Sequence, residues 1–249
     1  IYLNFAAVKH VRSEENTDSI KYMLKTNSQK FCPKKKNNLK IFFSVSSDKS
    51  VKSTSILGIS KYFMELELAN YSSKFPKVFV SSARFANVAF SNGSYLEYVK
   101  KRIEQKKTFG LPMKISRYFI TTEEAISICL KSILKKNKNQ IVIPSSKIIK
   151  KNVSLESLIK KILNIYNYKI SFTHKIKKVN SRFFPVIPNV ENLEGQKNFE
   201  EFFDKNFEKP IKNNDACIMT LEMIKDKNVS SNVREILALN SKKKIIKFL

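Results

Sequence analysis

Short apolar runs alternate with amphipathic stretches over most of the chain. Residues 1–7 are apolar and give way to polar residues over 9–18, which predicts a buried strand running into a loop. Thr17 and Asp18 can cap a helix that carries Ile20, Met23 and Leu24 at helical spacing and stops before Pro33. A second strand covers residues 40–47, with Ile41, Phe42, Phe43 and Val45. Residues 55–71 then place Leu57, Lys61, Met64, Glu65 and Leu68 at steps of three and four, a helix, and residues 77–83 form a third strand. Asn92, Gly93 and Ser94 open a helix through Tyr95, Val99 and Ile103. A short strand at 118–120 follows, then a helix opened by Thr121 and Thr122 with Glu124 in a capping-box arrangement and running to about residue 135. A strand at 141–143 ends before Pro144, and Ser154 starts a helix through Leu158, Ile162 and Ile165.

Strands that are continuously apolar and alternate with helices are buried on both faces. The pattern therefore predicts an α/β protein with a doubly wound, Rossmann-like parallel sheet and helices on both sides. From Phe184 onward the pattern thins. Residues 191–249 read as a C-terminal extension with one helical piece over 198–207 and a lysine-rich end.

The 249 residues are 42% hydrophobic and 27% charged, enough apolar surface for a core and too much for a disordered chain. No run of eighteen apolar residues occurs, so no membrane segment is predicted. The chain opens on Ile1, inside an apolar run, and is expected to continue a fold that starts upstream. Cys32, Cys129 and Cys217 are widely spaced, and with only His10 and His174 they make no metal-ligand pattern; a reducing, cytoplasmic compartment suits them. The net charge of +26 raises nucleic acid as a partner, yet only six of the 47 basic residues are arginines, the type that reads bases by bidentate contacts. A lysine excess that travels with abundant Asn and Ile reads better as a solvated, compositionally biased surface.

In doubly wound sheets ligands bind beyond the carboxyl ends of the strands. After the first strand come Ala6, Ala7, Lys9 and His10; after the second, Ser46, Ser47, Asp48 and Lys49, then Leu57, Gly58 and Lys61 on a helix. Arg84 and Asn87 follow the third strand, and Arg117 stands beside the fourth. Each has a bland alternative: a solvated ion pair for Asp48 and Lys49, a surface lysine or arginine for Lys61 and Arg117, a turn former for Asn87, and plain packing for Ala6 and Ala7.

Six motifs occur in order: Asn4-Phe5-Ala6-Ala7-Val8-Lys9-His10-Val11-Arg12-Ser13-Glu14, Val45-Ser46-Ser47-Asp48-Lys49, Gly58-Ile59-Ser60-Lys61, Ala83-Arg84-Phe85-Ala86-Asn87-Val88 continuing to Ser94, Arg117-Tyr118-Phe119-Ile120-Thr121, and Gly195-Gln196-Lys197-Asn198-Phe199-Glu200-Glu201-Phe202. Together they closely resemble the nucleotide-sugar 4,6-dehydratases of bacterial polysaccharide biosynthesis, extended short-chain dehydrogenase/reductases typified by UDP-N-acetylglucosamine 4,6-dehydratase. The resemblance covers roughly residues 1–207. It implies oxidation at sugar C4 with a bound NAD(P), NAD first, loss of water across C5 and C6, and return of the hydride to C6. It implies a UDP-sugar as substrate and is compatible with homo-oligomers. It implies catalytic roles for Ser47, Asp48, Lys49 and Lys61, with Asp48 and Lys49 as the acid and base that eliminate the 6-hydroxyl. Lys61 would also bind the nicotinamide ribose beside Ala6 and Ala7, while Lys9, Asn87 and Arg117 would bind substrate. The implied organisation is an incomplete Rossmann-like catalytic domain over 1–190, with nucleotide-sugar-binding segments interleaved from about 84 to 190, and the extension 191–249.

Four departures stand out. Short-chain dehydrogenases place a Tyr one helical turn before the lysine, where this chain has Leu57; Tyr62 points about 100° away. Ser47 replaces the usual Thr, and Ser50-Val51-Lys52-Ser53 replaces Ala-Ala-Asn-Pro. The four glycines, Gly58, Gly93, Gly110 and Gly195, form no dinucleotide-binding turn, which in the family lies upstream of the residue matching Ile1. A C5-epimerase of the same family, an inactive remnant and a basic binding protein are the competing readings.

Overall fold

The computed structural model describes residues 1–9, 16–29, 31–33, 38–134, 139–145, 152–180, 182–189, 200–206, 208–212, 216–221 and 235–239. They divide into two compact units, the first made of Ile1–Ala86, Glu123–Ile148 and Glu201–Leu249, the second of Asn87–Thr122 and Ile149–Glu200.

The first unit is built on a six-stranded sheet. Strands β1 (Tyr2–Asn4), β2 (Ile41–Ser47), β3 (Phe79–Phe85) and β7 (Gln140–Pro144) run parallel in that order. β2 and β7 are buried almost throughout, as strands covered on both faces must be. The expectation of an all-parallel sheet needs one correction. β12 (Ala216–Thr220) adds antiparallel to β7, and β11 (Ile211–Lys212) adds antiparallel to β12. These two strands come from the stretch read as an extension, and its described residues 200–206 are not helical.

Two helices lead into this sheet. Helix α1 (Thr17–Leu24) is capped by Asn16, whose side chain accepts the Ser19 amide, one residue before the predicted cap. A π-helical turn at Lys25–Gln29 follows it. Helix α2 (Ile56–Lys74) is capped by Ser55 and buries residues on nearly every side, including Leu57, Lys61, Met64, Glu65 and Leu68. Phe42 of β2 packs with its ring centroid 5.6 Å from that of Tyr2, 5.8 Å from that of Phe31 and 5.0 Å from that of Tyr71 of α2. Asn27 ties the exit of β1 to α2, because its amide exchanges bonds with the Val8 backbone at 2.8 and 2.9 Å and donates to Ser60 Oγ at 2.9 Å.

The second unit holds two small sheets, one of β5 (Phe109–Pro112), β10 (Phe183–Asn189) and β9 (Lys169–Phe172), the other of β4 (Asn87–Val88), β6 (Ser116–Ile120) and β8 (Asn152–Ser154). Helices α3 (Tyr95–Glu104) and α5 (Leu155–Ile165) cover a core of Val99, Phe109, Leu111, Ile159 and Phe184. Ser94 and Ser154 cap these helices as the sequence indicates. Helix α4 (Thr122–Leu134) starts at the predicted threonines and carries the chain back toward β7 of the first unit. Among the described residues no helix is long and apolar enough to cross a membrane, and no group of His, Cys, Asp and Glu could hold a metal ion.

Candidate active site

Three of the predicted catalytic residues come together where β2 ends. Ser47 is the last residue of that strand and caps a single 3-10 turn, Asp48–Ser50, by accepting the Lys49 amide at 3.2 Å. The Ser47 hydroxyl donates to Asp48 Oδ1 at 2.7 Å, and Lys49 Nζ reaches the same oxygen at 3.3 Å. Asp48 is only 2% exposed, whereas the Lys49 side chain is 39% exposed. One carboxylate oxygen thus meets a hydroxyl and an ammonium at the carboxyl end of a parallel strand, where Lys49 opens to solvent and Asp48 does not.

Helix α2 packs directly on this turn. Gly58 sits in its first helical turn, and a Cβ there would stand 2.3 Å from the Lys49 carbonyl oxygen, so only glycine allows the approach. One turn further, Lys61 is 7% exposed and donates from Nζ to the Val45 carbonyl of β2 at 2.9 Å. Burial pushes its ammonium down to about 8, against the opposing pull of Glu65. An ammonium has three donors: one bonds Val45, and Met64 Sδ lies 3.9 Å from Nζ. Leu57 is buried at the position where short-chain dehydrogenases place a tyrosine, and Tyr62, next to Lys61 in sequence, is 41% exposed.

The Lys61 shift carries a pH prediction. The unfolded chain keeps this proton up to the ordinary 10.5, so between about 8 and 10.5 it binds more protons than the folded state and stability rises with pH. Denaturation of the protein beside Lys61→Met should show the difference moving in favour of the parent across that window, by about 3 kcal/mol at most. A difference independent of pH would mean that Lys61 is not desolvated.

Ala6, Ala7 and Lys9 are exposed on the segment leaving β1, and small side chains there leave a ligand room. His10, residues 11–15 and residues 190–199, which include the Gly195 motif up to Phe199, lie outside the described residues.

In the second unit, Asn87 and Arg117 meet Glu200, which sequence reasoning did not assign. Asn87 Nδ2 donates to the Tyr118 carbonyl at 3.0 Å and to Glu200 Oε1 at 2.5 Å, so both of its amide hydrogens are engaged. Glu200 Oε2 accepts the Tyr118 amide at 2.7 Å, and Arg117 Nε lies 3.8 Å from Oε1. Arg117 is 12% exposed and donates to the Ser116 carbonyl at 2.9 Å. A ligand phosphate at Arg117 would therefore share the guanidinium with Glu200.

The most buried polar cluster of the first unit was also not anticipated as such. Arg84, 1% exposed at the end of β3, donates from Nε and Nη2 to the two oxygens of Glu65 at 3.0 and 2.6 Å. Its other edge binds Glu208 at 3.0 and 3.1 Å and the Phe202 carbonyl at 2.9 Å. Burial by itself would lower the Arg84 pKa, but the two carboxylates outweigh it and hold the guanidinium protonated. A groove of about 440 Å³ along α4, lined by Ile126, Leu130 and Leu134, touches none of the predicted site residues.

Comparison with known proteins gives a consistent picture. Residues 1–220 match the family described as polysaccharide biosynthesis protein. A probable polysaccharide biosynthesis protein of Bacillus subtilis, EpsC, is 28% identical over 171 residues, covering 66% of this chain and 25% of that protein. The chain therefore spans about a quarter of the length of this curated relative. Among solved structures, Pen from Bacillus thuringiensis aligns with a TM-score of 0.63 at 18% identity, over 88% of this chain and 64% of that one. A dTDP-glucose 4,6-dehydratase of Streptomyces venezuelae, DesIV, solved with NAD and TYD bound, aligns with a TM-score of 0.50 at 14% identity over 75% and 60%. At these identities the likeness establishes the Rossmann-type fold.

Proposed function

We propose, on the premise that the chain belongs to the family of polysaccharide biosynthesis proteins, that it carries the proton-transfer residues of an NAD-dependent nucleotide-sugar 4,6-dehydratase acting on UDP-N-acetylglucosamine or a close analogue. The observation that carries this reading is the convergence of Ser47, Lys49 and the buried Asp48 carboxylate at the end of β2.

Bound NAD would supply the hydride chemistry, taking the C4 hydrogen and returning it at C6. The protein must move the protons. The 4-hydroxyl proton and the C6 hydroxyl leave together as water, while C5 gives up one proton and takes one back. In this assignment the Asp48 carboxylate takes the 4-hydroxyl proton as C4 is oxidised and delivers it to the departing C6 oxygen, while Lys49, entering as the neutral amine, takes the C5 proton and returns it to C5. Ser47 steadies the carboxyl by its hydroxyl. With Leu57 where the family has a phenol, this pair carries the proton work.

The residues present fit the nicotinamide ribose: Lys61 has further donors beyond Val45, and Ala6 and Ala7 leave space at the end of β1. The four glycines supply no pyrophosphate-binding turn. Asn87, Arg117 and Lys9 are assigned to the nucleotide and sugar, and the implied interleaving of sugar-binding segments from about residue 84 to 190 belongs to the same reading.

Incubating the full-length protein with NAD and UDP-N-acetylglucosamine should yield a product lighter by one water in mass spectrometry. A product of unchanged mass with inverted C5 would establish the epimerase instead, and no change across a panel of UDP-sugars would overturn the enzymatic reading.

A further inference from the structure

The acid and base assigned above sit on a very short support. The turn Asp48–Ser50 is three residues long and closes with one backbone bond, from the Val51 amide to the Asp48 carbonyl at 3.2 Å. An isolated 3-10 turn of that length has little rigidity of its own. Proton transfer, however, needs its groups held to within a fraction of an ångström.

Beneath the turn lies Glu65, fully buried on α2. Its Oε1 accepts from Ser46 Oγ at 2.5 Å and from Ser50 Oγ at 2.9 Å, the residues that bracket Ser47, Asp48 and Lys49 on either side. The Ser50 hydroxyl also lies 2.8 Å from the Ser47 carbonyl, within the turn itself. The carboxylate plane cannot rotate, because Arg84 binds both of its oxygens, and Arg84 is fixed from behind by Glu208 and the Phe202 carbonyl. A buried ion pair is weak evidence for a purely stabilising role, since apolar residues of similar volume often serve stability as well. Aiming one oxygen at both shoulders of a turn is something apolar residues cannot do.

We infer that Glu65 is a positioning residue for Asp48 and Lys49, clamping their turn through Ser46 and Ser50, and that Arg84 with Glu208 sets the orientation of the clamp. The inference rests on the dehydratase reading for its catalytic consequence. The clamp itself is a matter of geometry.

Glu65→Gln is the direct variant but risks the fold, so the test uses the serines. In the full-length protein, Ser46→Ala and Ser50→Ala should each lower kcat on the order of 10-fold while KM changes by less than about twofold. Both should also speed hydrogen exchange of the amides of residues 47–51. Ser50→Thr, which keeps the hydroxyl, should recover kcat. Ser72→Ala is the control: Ser72 is also buried on α2, where its hydroxyl bonds the Ala69 carbonyl at 2.8 Å, and its loss should leave both readouts unchanged. Unchanged kcat in the Ser46 and Ser50 variants, or an equal fall in Ser72→Ala, overturns the positioning role. A parent without turnover on any nucleotide sugar overturns the dehydratase reading alone, and the exchange rates then decide the clamp: faster exchange supports it and unchanged exchange overturns it.

Discussion

Replacing Asp48 by asparagine should leave the protein folded and cut nucleotide-sugar turnover by about 10²-fold or more. The amide oxygen of asparagine can still accept from Ser47 Oγ and Lys49 Nζ, the two contacts made by Asp48 Oδ1, so the shape of the turn survives. In the proposed reaction what disappears is the ability to hold and deliver a proton at the C6 oxygen. Lys49→Ala should be comparably damaging by removing the group assigned there to the C5 proton. Steady-state turnover measured beside thermal denaturation separates chemistry from folding. Near-parent turnover of Asp48→Asn would remove the carboxylate from the reaction.

The largest loss of stability is expected from Arg84→Met, about 3–5 kcal/mol in chemical denaturation. The guanidinium is the shared partner of Glu65, which has no exposed surface, and of Glu208, whose side chain is 13% exposed. Without it the Glu65 carboxylate keeps two serine donors but no cation at hydrogen-bond distance, and an ionised carboxylate out of water costs far more than two neutral hydrogen bonds return. Glu208 can turn toward water and suffers less. The double variant Glu65→Met with Arg84→Met should therefore recover much of the loss, since it removes the stranded charge with its partner. A single variant within about 1 kcal/mol of the parent would show that water reaches Glu65.

The four parallel strands of the main sheet were readable as apolar runs, uninterrupted at residues 41–43 and 141–143 where β2 and β7 are buried on both faces, whereas β11 and β12 lie in the stretch read as an extension. In the second unit β6 was read at residues 118–120, but its other strands escaped notice for local reasons. β10 contains Pro185 and Pro188, residues that count against a strand, β5 contains Gly110 and Pro112, and β8 is three residues with no large apolar side chain but Val153. The Ser47, Asp48 and Lys49 cluster was legible because it is contiguous. Its surroundings were not, since Glu65 meets Arg84 across 19 residues, Arg84 meets Glu208 across 124, and Asn87 meets Glu200 across 113. A clue to the first was present: Glu65 falls among Lys61, Met64 and Leu68 on the helical repeat, and a carboxylate among buried positions requires a buried donor. No pattern in one sequence identifies that donor when it lies on another strand.

The contact between Gly58 and the Lys49 carbonyl makes two adjacent positions unequal. At Leu57, a buried position, a change of side chain would alter which group stands one helical turn from Lys61. At Gly58 even a methyl would meet the Lys49 carbonyl and force helix or turn to shift, displacing Lys49, the base of the proposed reaction, while leaving its chemical identity intact. Substitution at position 57 would thus change the chemistry beside Lys61 in the proposed reaction. Position 58 acts as a spacer of fixed thickness, the width of one hydrogen atom, against which the distance between helix and turn is gauged.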